Sequence, residues 1–266
     1  MKKIKILSGI LLLIVAFTFA GCGSSSSQKT SGSDLKAIKD RGTLKVGVKL
    51  DVPKFGYKDP KTSKIEGFEI DLSKAVAKKI FGDENKVQFQ GVTAKTRGPL
   101  LDSGQVDMIA ATFTITDERK KSYNFSEPYF TDSVGLMVKK SSGIKDLKGL
   151  NEKKIGVAQS ATSKQAIQKE AEKVGSKVTF MEFQGYPDIK SALDSGRIDC
   201  FSVDRSILTG YIDNSTVVLK EKFSPQDYGV ATKKGNDELA KAVNETISEM
   251  KKSGELDKLI AKWGIQ

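Results

Sequence analysis

Apolar and polar positions fall into two alternating periods along this chain. Runs with β-type alternation or continuous apolar character are read as strands: Thr43 to Leu50 (TLKVGVKL), 86–92 (KVQFQGV) and Gln105 to Ala111 (QVDMIAA). Segments with helical spacing lie around them. LKAIKDRG ends at Gly42, and a second helix runs from about Asp71 to Phe81 with Leu72, Ala75, Val76 and Ile80 on one face. A short third helix spans Lys95 to Ser103 and is closed by Gly104. The loop between the first strand and second helix carries Pro53, Gly56 and Pro60, with a turn at Gly67.

The pattern then recurs. KIGVA (Lys154 to Ala158) echoes LKVGV, and Ser163 to Val174 reads as a helix with Ala166, Ile167, Ala171 and Val174 inward. KVTFMEF is a strand, and ALDSGRIDCFSVD (192–204) nearly repeats LLDSGQVDMIAAT (100–112). The shared core, Leu-Asp-Ser-Gly-x-Val/Ile-Asp, occupies 101–107 and 193–199. Strands alternating with helices indicate an α/β architecture with mainly parallel sheets flanked by helices, here in two similar lobes. Two extended segments, 129–139 and 220–233, read as hinge strands crossing between lobes. Lobe 1 is thus expected over 34–132 and 229–266, and lobe 2 over 133–228. The C-terminal part, Glu238 to Trp263, is helical, with Leu239, Val243, Ile247 and Met250 as one stripe and Leu256, Leu259 and Ile260 as another. Two lobes on two strands make a hinged clamp whose ligand sits at the C-terminal ends of the strands.

The first 33 residues stand apart. A basic start (MKKIK) and an apolar run from Ile6 to Ala20 have the length and flanks of a signal peptide over 1–21. Phe19-Ala20-Gly21-Cys22 resembles the bacterial lipobox, in which Cys22 becomes the acylated N-terminus. Phe19 departs from the usual Leu, and an ordinary signal with an unrelated cysteine is the alternative. Residues 22–33 are a Gly/Ser-rich tether. Together they predict a lipoprotein held at the membrane by Cys22 while its folded part works in the aqueous phase.

Composition removes several chemistries. The 266 residues include no histidine, which excludes Ser-His-Asp and Cys-His nucleophiles and every histidine metal site. Cys22 and Cys200 are the only cysteines, too few for a disulfide framework, and Cys200 in an apolar strand reads as buried and inert. The net charge of +11 comes from scattered lysines rather than a basic stripe, which argues for a solvated surface and against nucleic acid.

Candidate chemistry concentrates between Gln105 and Thr131. A buried strand passes through Thr112, Thr114 and Thr116 and opens a helix at Asp117-Glu118-Arg119, gathering hydroxyls, free N–H groups and a guanidinium. A cation in a first turn is disfavoured by the helix dipole, so an anionic partner for Arg119 follows, with Thr116 as the cap. A merely solvated arginine is the alternative.

Seven stretches, in this order, resemble the polar amino-acid class of solute-binding proteins of bacterial ABC importers. They are VGVKLDVPKFGY (46–57), EGFEIDLSKAVA (66–77), TFTITDERKKSYNFSEPYF (112–130), IGVAQSATS (155–163), ALDSGRIDCFSVD (192–204), QDYGVATKKG (226–235) and KWG (262–264). The resemblance implies a two-lobed periplasmic-binding-protein-like fold and a site for an amino acid. It places Arg119 on the α-carboxylate, with Thr114 and the backbone near Thr112 as further donors and Thr162 reaching from the other lobe. For Thr162 a plain helix cap is the alternative. Asp204 would take the α-ammonium, while Asp107 and Asp199 repeat each other and read as structural. Lys49 and Arg97 resemble positions that, with Thr112, clamp a second carboxylate in aspartate/glutamate-binding members, and Tyr186 would add a hydroxyl. Solvated surface residues are the alternative for both cations. Lys49, Arg97 and Arg119 against Asp204 sum to +2, which suits an acidic ligand better than a neutral one. Phe55 or Tyr57 is expected as an aromatic wall, or else as packing.

The expectation is therefore an extracytoplasmic, lipid-anchored monomer. It binds L-aspartate or L-glutamate and presents the closed form to an ABC permease, with no cofactor, metal or catalysis. Its rivals are a binding protein for glutamine, cystine or arginine, a cyclic-amino-acid dehydratase on the same fold, and a receptor's sensing module. The dehydratase requires a general acid, and no carboxylate beyond Asp204 offers itself in the sequence.

Overall fold

The computed structural model of the chain describes residues 34–265. The stretches read as a signal peptide and a tether, and the acylation candidate Cys22, lie outside the described residues. The first half runs α1 (Asp34–Arg41), β1 (Leu44–Val48), β2 (Asp51–Val52), β3 (Gly56–Lys58), β4 (Ile65–Glu66), α2 (Phe68–Phe81) and β5 (Val87–Gly91). It continues through α3 (Arg97–Asp102), β6 (Met108–Ala110), α4 (Asp117–Ser122) and β7 (Tyr123–Phe125). There follow β8 (Phe130–Lys139), β9 (Lys154–Ala158), α5 (Ser163–Lys173), β10 (Thr179–Phe183), α6 (Tyr186–Asp194), β11 (Cys200–Asp204) and α7 (Arg205–Thr209). The chain closes with β12 (Thr216–Val218), β13 (Phe223–Tyr228), β14 (Ala231–Lys233), α8 (Asp237–Ser253) and α9 (Glu255–Trp263).

Two sheets organise the molecule. In the first the order is β5-β1-β6-β14-β7, with β1 parallel to β5 and β6 and β14 antiparallel to β6 and β7. The second runs β10-β9-β11-β8-β12, with β13 also on β8. There β9 is parallel to β10 and β11, while β8 is antiparallel to β11, β12 and β13. The sheets are thus mixed: parallel where β and α alternate, antiparallel where the hinge strands return. The stretch expected as a simple crossover, 129–139, is largely β8, the strand with most partners in the second sheet. A small antiparallel sheet, β2-β3-β4, covers the loop after β1.

The repeated Leu-Asp-Ser-Gly motif makes the same turn twice. Gly104 (φ 72°) and Gly196 (φ 75°) end α3 and α6, their N–H groups bonding Leu101 and Leu193 carbonyls at 3.1 Å. The aspartates that follow are structural in the same way. Asp107 accepts from Lys45 N–H at 2.7 Å and Asp199 from Lys154 N–H at 2.9 Å, so the one pins the start of β1 and the other the start of β9.

Several boundaries differ from the periodicity. Helix α2 begins at Phe68, three residues before the expected Asp71, because Gly67 turns the chain at φ 141° against the carbonyl of Phe55. Its buried face includes Phe68, Ile70, Leu72, Val76 and Ala77, while Ala75 and Ile80 are only partly buried. Val174, expected inward, is 39% exposed because α5 ends at Lys173. The C-terminal helical region is two helices broken at Gly254, and α8 packs its Leu239, Val243, Ile247 and Met250 stripe into the core as the spacing requires.

Candidate functional site

Parallel strands end on one edge, and the candidate residues collect there. Lys49 follows β1, Thr112 follows β6, Ser160 lies just past β9, and Asp204 is the last residue of β11. The charged candidates form one electrostatic cluster: Arg97 interacts with Tyr186, Asp204 and Glu69, and Arg119 with Arg97, Asp204 and Tyr186.

On the first lobe, Thr116 caps α4 as its position suggests, its hydroxyl accepting from Arg119 N–H at 3.1 Å. This holds Arg119 in the first turn, from which Nη1 donates to Thr114 O at 2.7 Å and Nη2 to Ser160 O at 3.0 Å. Arg97, at the start of α3, is 3% exposed and donates through Nη1 to the carbonyls of Ala111 (2.7 Å) and Thr112 (3.1 Å). Both guanidiniums lie over the ring of Phe113, at 4.0 Å for Arg97 and 4.7 Å for Arg119. Among the described residues neither arginine makes an ion pair. Burial, and then the charge of Arg97, lower the pKa of Arg119 to about 9. Arg97 is lowered too, chiefly by burial. A buried and a half-buried cation over the same ring favour an anion between or beside them.

Lys49 is also buried, at 1% exposure, with Nζ 2.9 Å from Asp51 Oδ1 and 4.4 Å from the ring centre of Tyr186. The solvated alternative for Lys49 and Arg97 therefore does not hold. Beside them stands Glu69, fully buried on the first turn of α2. Its Oε1 accepts from Thr112 N–H at 2.5 Å and from the Tyr129 hydroxyl, while Oε2 is buried without a partner. Burial pushes its pKa up to about 7. The sum of +2 omitted Asp51 and Glu69. With every group ionised the three cations face three carboxylates, so total charge alone does not select an acidic ligand.

On the second lobe, Asp204 is 5% exposed and accepts from the Tyr228 hydroxyl at 2.5 Å. Burial, reinforced by Asp132, raises its pKa to about 7. A ligand ammonium would favour its ionised form. Tyr186 opens α6, buried at 3% exposure, and burial raises its pKa. Thr162 makes no cap bond at the start of α5; its hydroxyl donates to Gln226 Oε1 at 2.6 Å. Thr114, from the other lobe, donates to the same oxygen at 2.9 Å.

These contacts bring the lobes together. Arg119 reaches Ser160 O, Lys49 reaches Tyr186, and the Tyr211 hydroxyl donates to Asp51 O. Cleft polar atoms that are buried without a hydrogen-bond partner include Thr112 Oγ1, Arg97 Nε and Ser163 Oγ.

The structure thus brings the eight sequence-derived residues into one connected set of contacts at the strand ends of the two lobes. Sequence reasoning missed Glu69, Phe113, Gln226 and Tyr228. Phe55 packs in the core against Phe68, Phe130 and Tyr228, so the aromatic surface beside the cations is Phe113. Gln226 opens one of the matching stretches, but its burial in β13 shows only in the structure. Glu69 also supplies a second cleft carboxylate with a raised pKa, so the argument that only Asp204 was available as an acid does not stand. Cys200 is buried in β11 as expected.

A two-lobed α/β clamp with guanidiniums, hydroxyls and a carboxylate facing its cleft is the architecture of a solute-binding protein. The chain belongs to the bacterial extracellular solute-binding proteins, family 3, whose model matches residues 44–266. It is 42% identical to the ABC transporter glutamine-binding protein GlnH of Bacillus subtilis, over 99% of this chain and 97% of that one. It is 39% identical to the glutamine-binding protein of Geobacillus stearothermophilus, over 92% and 97%. Among solved structures, an ancestral arginine-binding protein bound to arginine matches with a TM-score of 0.76 at 40% identity, covering 84% of this chain and 98% of that one. All three are named as binding proteins.

Proposed function

We propose that this protein is the substrate-binding component of an amino-acid ABC importer and that it closes on an acidic amino acid, L-aspartate or L-glutamate. The observation that carries the choice is the pair of arginines. Arg97 is buried and Arg119 half-buried, both lie against Phe113, and neither has a carboxylate partner among the described residues, whereas Lys49 is already paired with Asp51. Glu69 spends its bonded oxygen on Thr112 N–H and Tyr129, not on a guanidinium. Two unpaired guanidiniums are matched by two carboxylates, and a dicarboxylic amino acid supplies both. Arg119 takes the α-carboxylate with Thr162, Asp204 takes the ammonium, and Arg97 with Thr112 and Tyr186 takes the side-chain carboxylate, with the Lys49–Asp51 pair beside it. Because the groups come from both lobes, the ligand stabilises the closed form that the permease recognises.

Glutamine is the second reading. The relatives at 42% and 39% identity are named for it, and the full count of cleft charges suits a zwitterion. Calorimetric titration with L-aspartate, L-glutamate and L-glutamine separates the two. Binding of glutamine with no heat from either dicarboxylate would leave the importer role standing and remove the acidic selectivity.

Cys22 is the acylated anchor that keeps the protein on the outer face of the cell membrane. Cys22→Ser then moves it from the membrane fraction to the soluble fraction; an unchanged distribution would rule the anchor out.

A further inference from the structure

Thr112 is held in an unusual backbone conformation. Its φ is 44°, in the left-handed region that β-branched residues rarely adopt, and such strain persists only where surrounding contacts over-determine it. Two contacts do so. Glu69 Oε1 accepts from Thr112 N–H at 2.5 Å, and Arg97 Nη1 donates to Thr112 O at 3.1 Å and to Ala111 O at 2.7 Å. The peptide units on both sides of the strained residue are therefore gripped by side chains of α2 and α3. The Tyr129 hydroxyl braces the same Glu69 oxygen. The grip leaves Thr112 Oγ1 and Arg97 Nε buried without partners, on two residues joined by a hydrogen bond.

We infer that Glu69 is a positioning residue that sets specificity: by holding Thr112 in the left-handed conformation it presents the Thr112 hydroxyl, together with Arg97, to the second acidic group of the ligand. In this role Glu69 acts through Thr112 and not on the ligand directly. Its charge is secondary to its reach, since what Thr112 N–H needs is an acceptor at that distance. The inference rests on the acidic-ligand reading only in naming the group that Thr112 meets.

Two variants separate reach from charge. Glu69→Gln keeps the acceptor and loses the charge; Glu69→Asp keeps the charge and withdraws the acceptor by one methylene. Titrations with L-glutamate and L-glutamine are run on both, and on each in a Thr112→Gly background, where glycine takes a positive φ without strain. For whichever ligand the wild type binds more tightly, Glu69→Gln is expected to lose less than about threefold and Glu69→Asp more than about tenfold, because only the second withdraws the acceptor from the buried Thr112 N–H. In Thr112→Gly the further loss from Glu69→Asp shrinks below about threefold, because no strained hydroxyl remains to be positioned. Glu69→Gln weaker than Glu69→Asp, or the same loss from Glu69→Asp in both backgrounds, overturns the inference. Failure of the acidic-ligand reading is read separately, from the wild type's preference between glutamate and glutamine.

Discussion

Arg97 and Arg119 face the same ring: their guanidinium carbons lie 4.0 Å and 4.7 Å from the centre of Phe113, and neither is ion-paired among the described residues. Each arginine lowers its cost by resting on the π-face and by donating to backbone carbonyls at the end of β6 and in the turn after it. Those bonds fix both cations in position without pairing either directly with a carboxylate, which is a preorganised state for binding carboxylates.

Gln226 is expected to couple closure to binding. Thr114 and Thr162 both donate to its Oε1, so Gln226→Leu strands two hydroxyls, one on each lobe. Affinity should fall about tenfold, in line with about 1–3 kcal/mol for an unsatisfied buried group. Small-angle scattering of the liganded variant should show a larger radius than the liganded wild type. An unchanged affinity would mean that the hinge-strand amide is incidental.

Binding should depend on pH through Asp204. Its pKa in this structure is about 7, raised by burial, and an ammonium beside it stabilises the ionised form and lowers that value. Below pH 7 the ligand must displace a proton, so affinity falls as pH drops, by at most about tenfold per unit. Titrations at pH 8, 7 and 6 check this. Asp204→Asn should bind weakly at every pH and abolish that dependence.

Gly67→Ala tests the turn that starts α2. At φ 141° an added Cβ would overlap the carbonyl oxygen of Phe55, and the neighbouring bonds Phe68 N–H to Lys54 O (2.7 Å) and Glu69 N–H to Phe55 O (2.9 Å) cannot shift freely. A stability loss of about 2–4 kcal/mol is expected in chemical denaturation. Because this turn also carries Glu69, ligand affinity should fall with it.

The repeat, the two-lobed α/β plan and the polar residues at strand ends were legible because each has a local signature. Leu-Asp-Ser-Gly-x-Val/Ile-Asp recurs with its turn glycine, and Arg119 sits in a first turn where a cation is out of place. What was not legible depends on contacts between distant segments. Glu69 looks like one more charge on an amphipathic helix until Thr112, 43 positions on, folds against it. Gln226 gains its role only when Thr114 and Thr162 approach from opposite lobes. The charge count of the cleft failed for the same reason, since Asp51 and Glu69 join it by tertiary packing. Helix α2 starts before the expected Asp71 because Gly67 turns the chain before the apolar period becomes visible, and the pairing of the hinge strand β8 was not legible because its antiparallel partners lie far along the chain.

The central claim is that Arg97 serves the ligand's second carboxylate. It is tested most directly by the ratio of glutamine to glutamate dissociation constants, measured by calorimetry for the wild type and for Arg97→Ala. The account predicts a wild-type preference for glutamate of about a hundredfold or more, of the order of 2–5 kcal/mol for a buried charge pair, and its near collapse in Arg97→Ala. A wild type that prefers glutamine, or an Arg97→Ala variant that weakens both ligands equally, would contradict it.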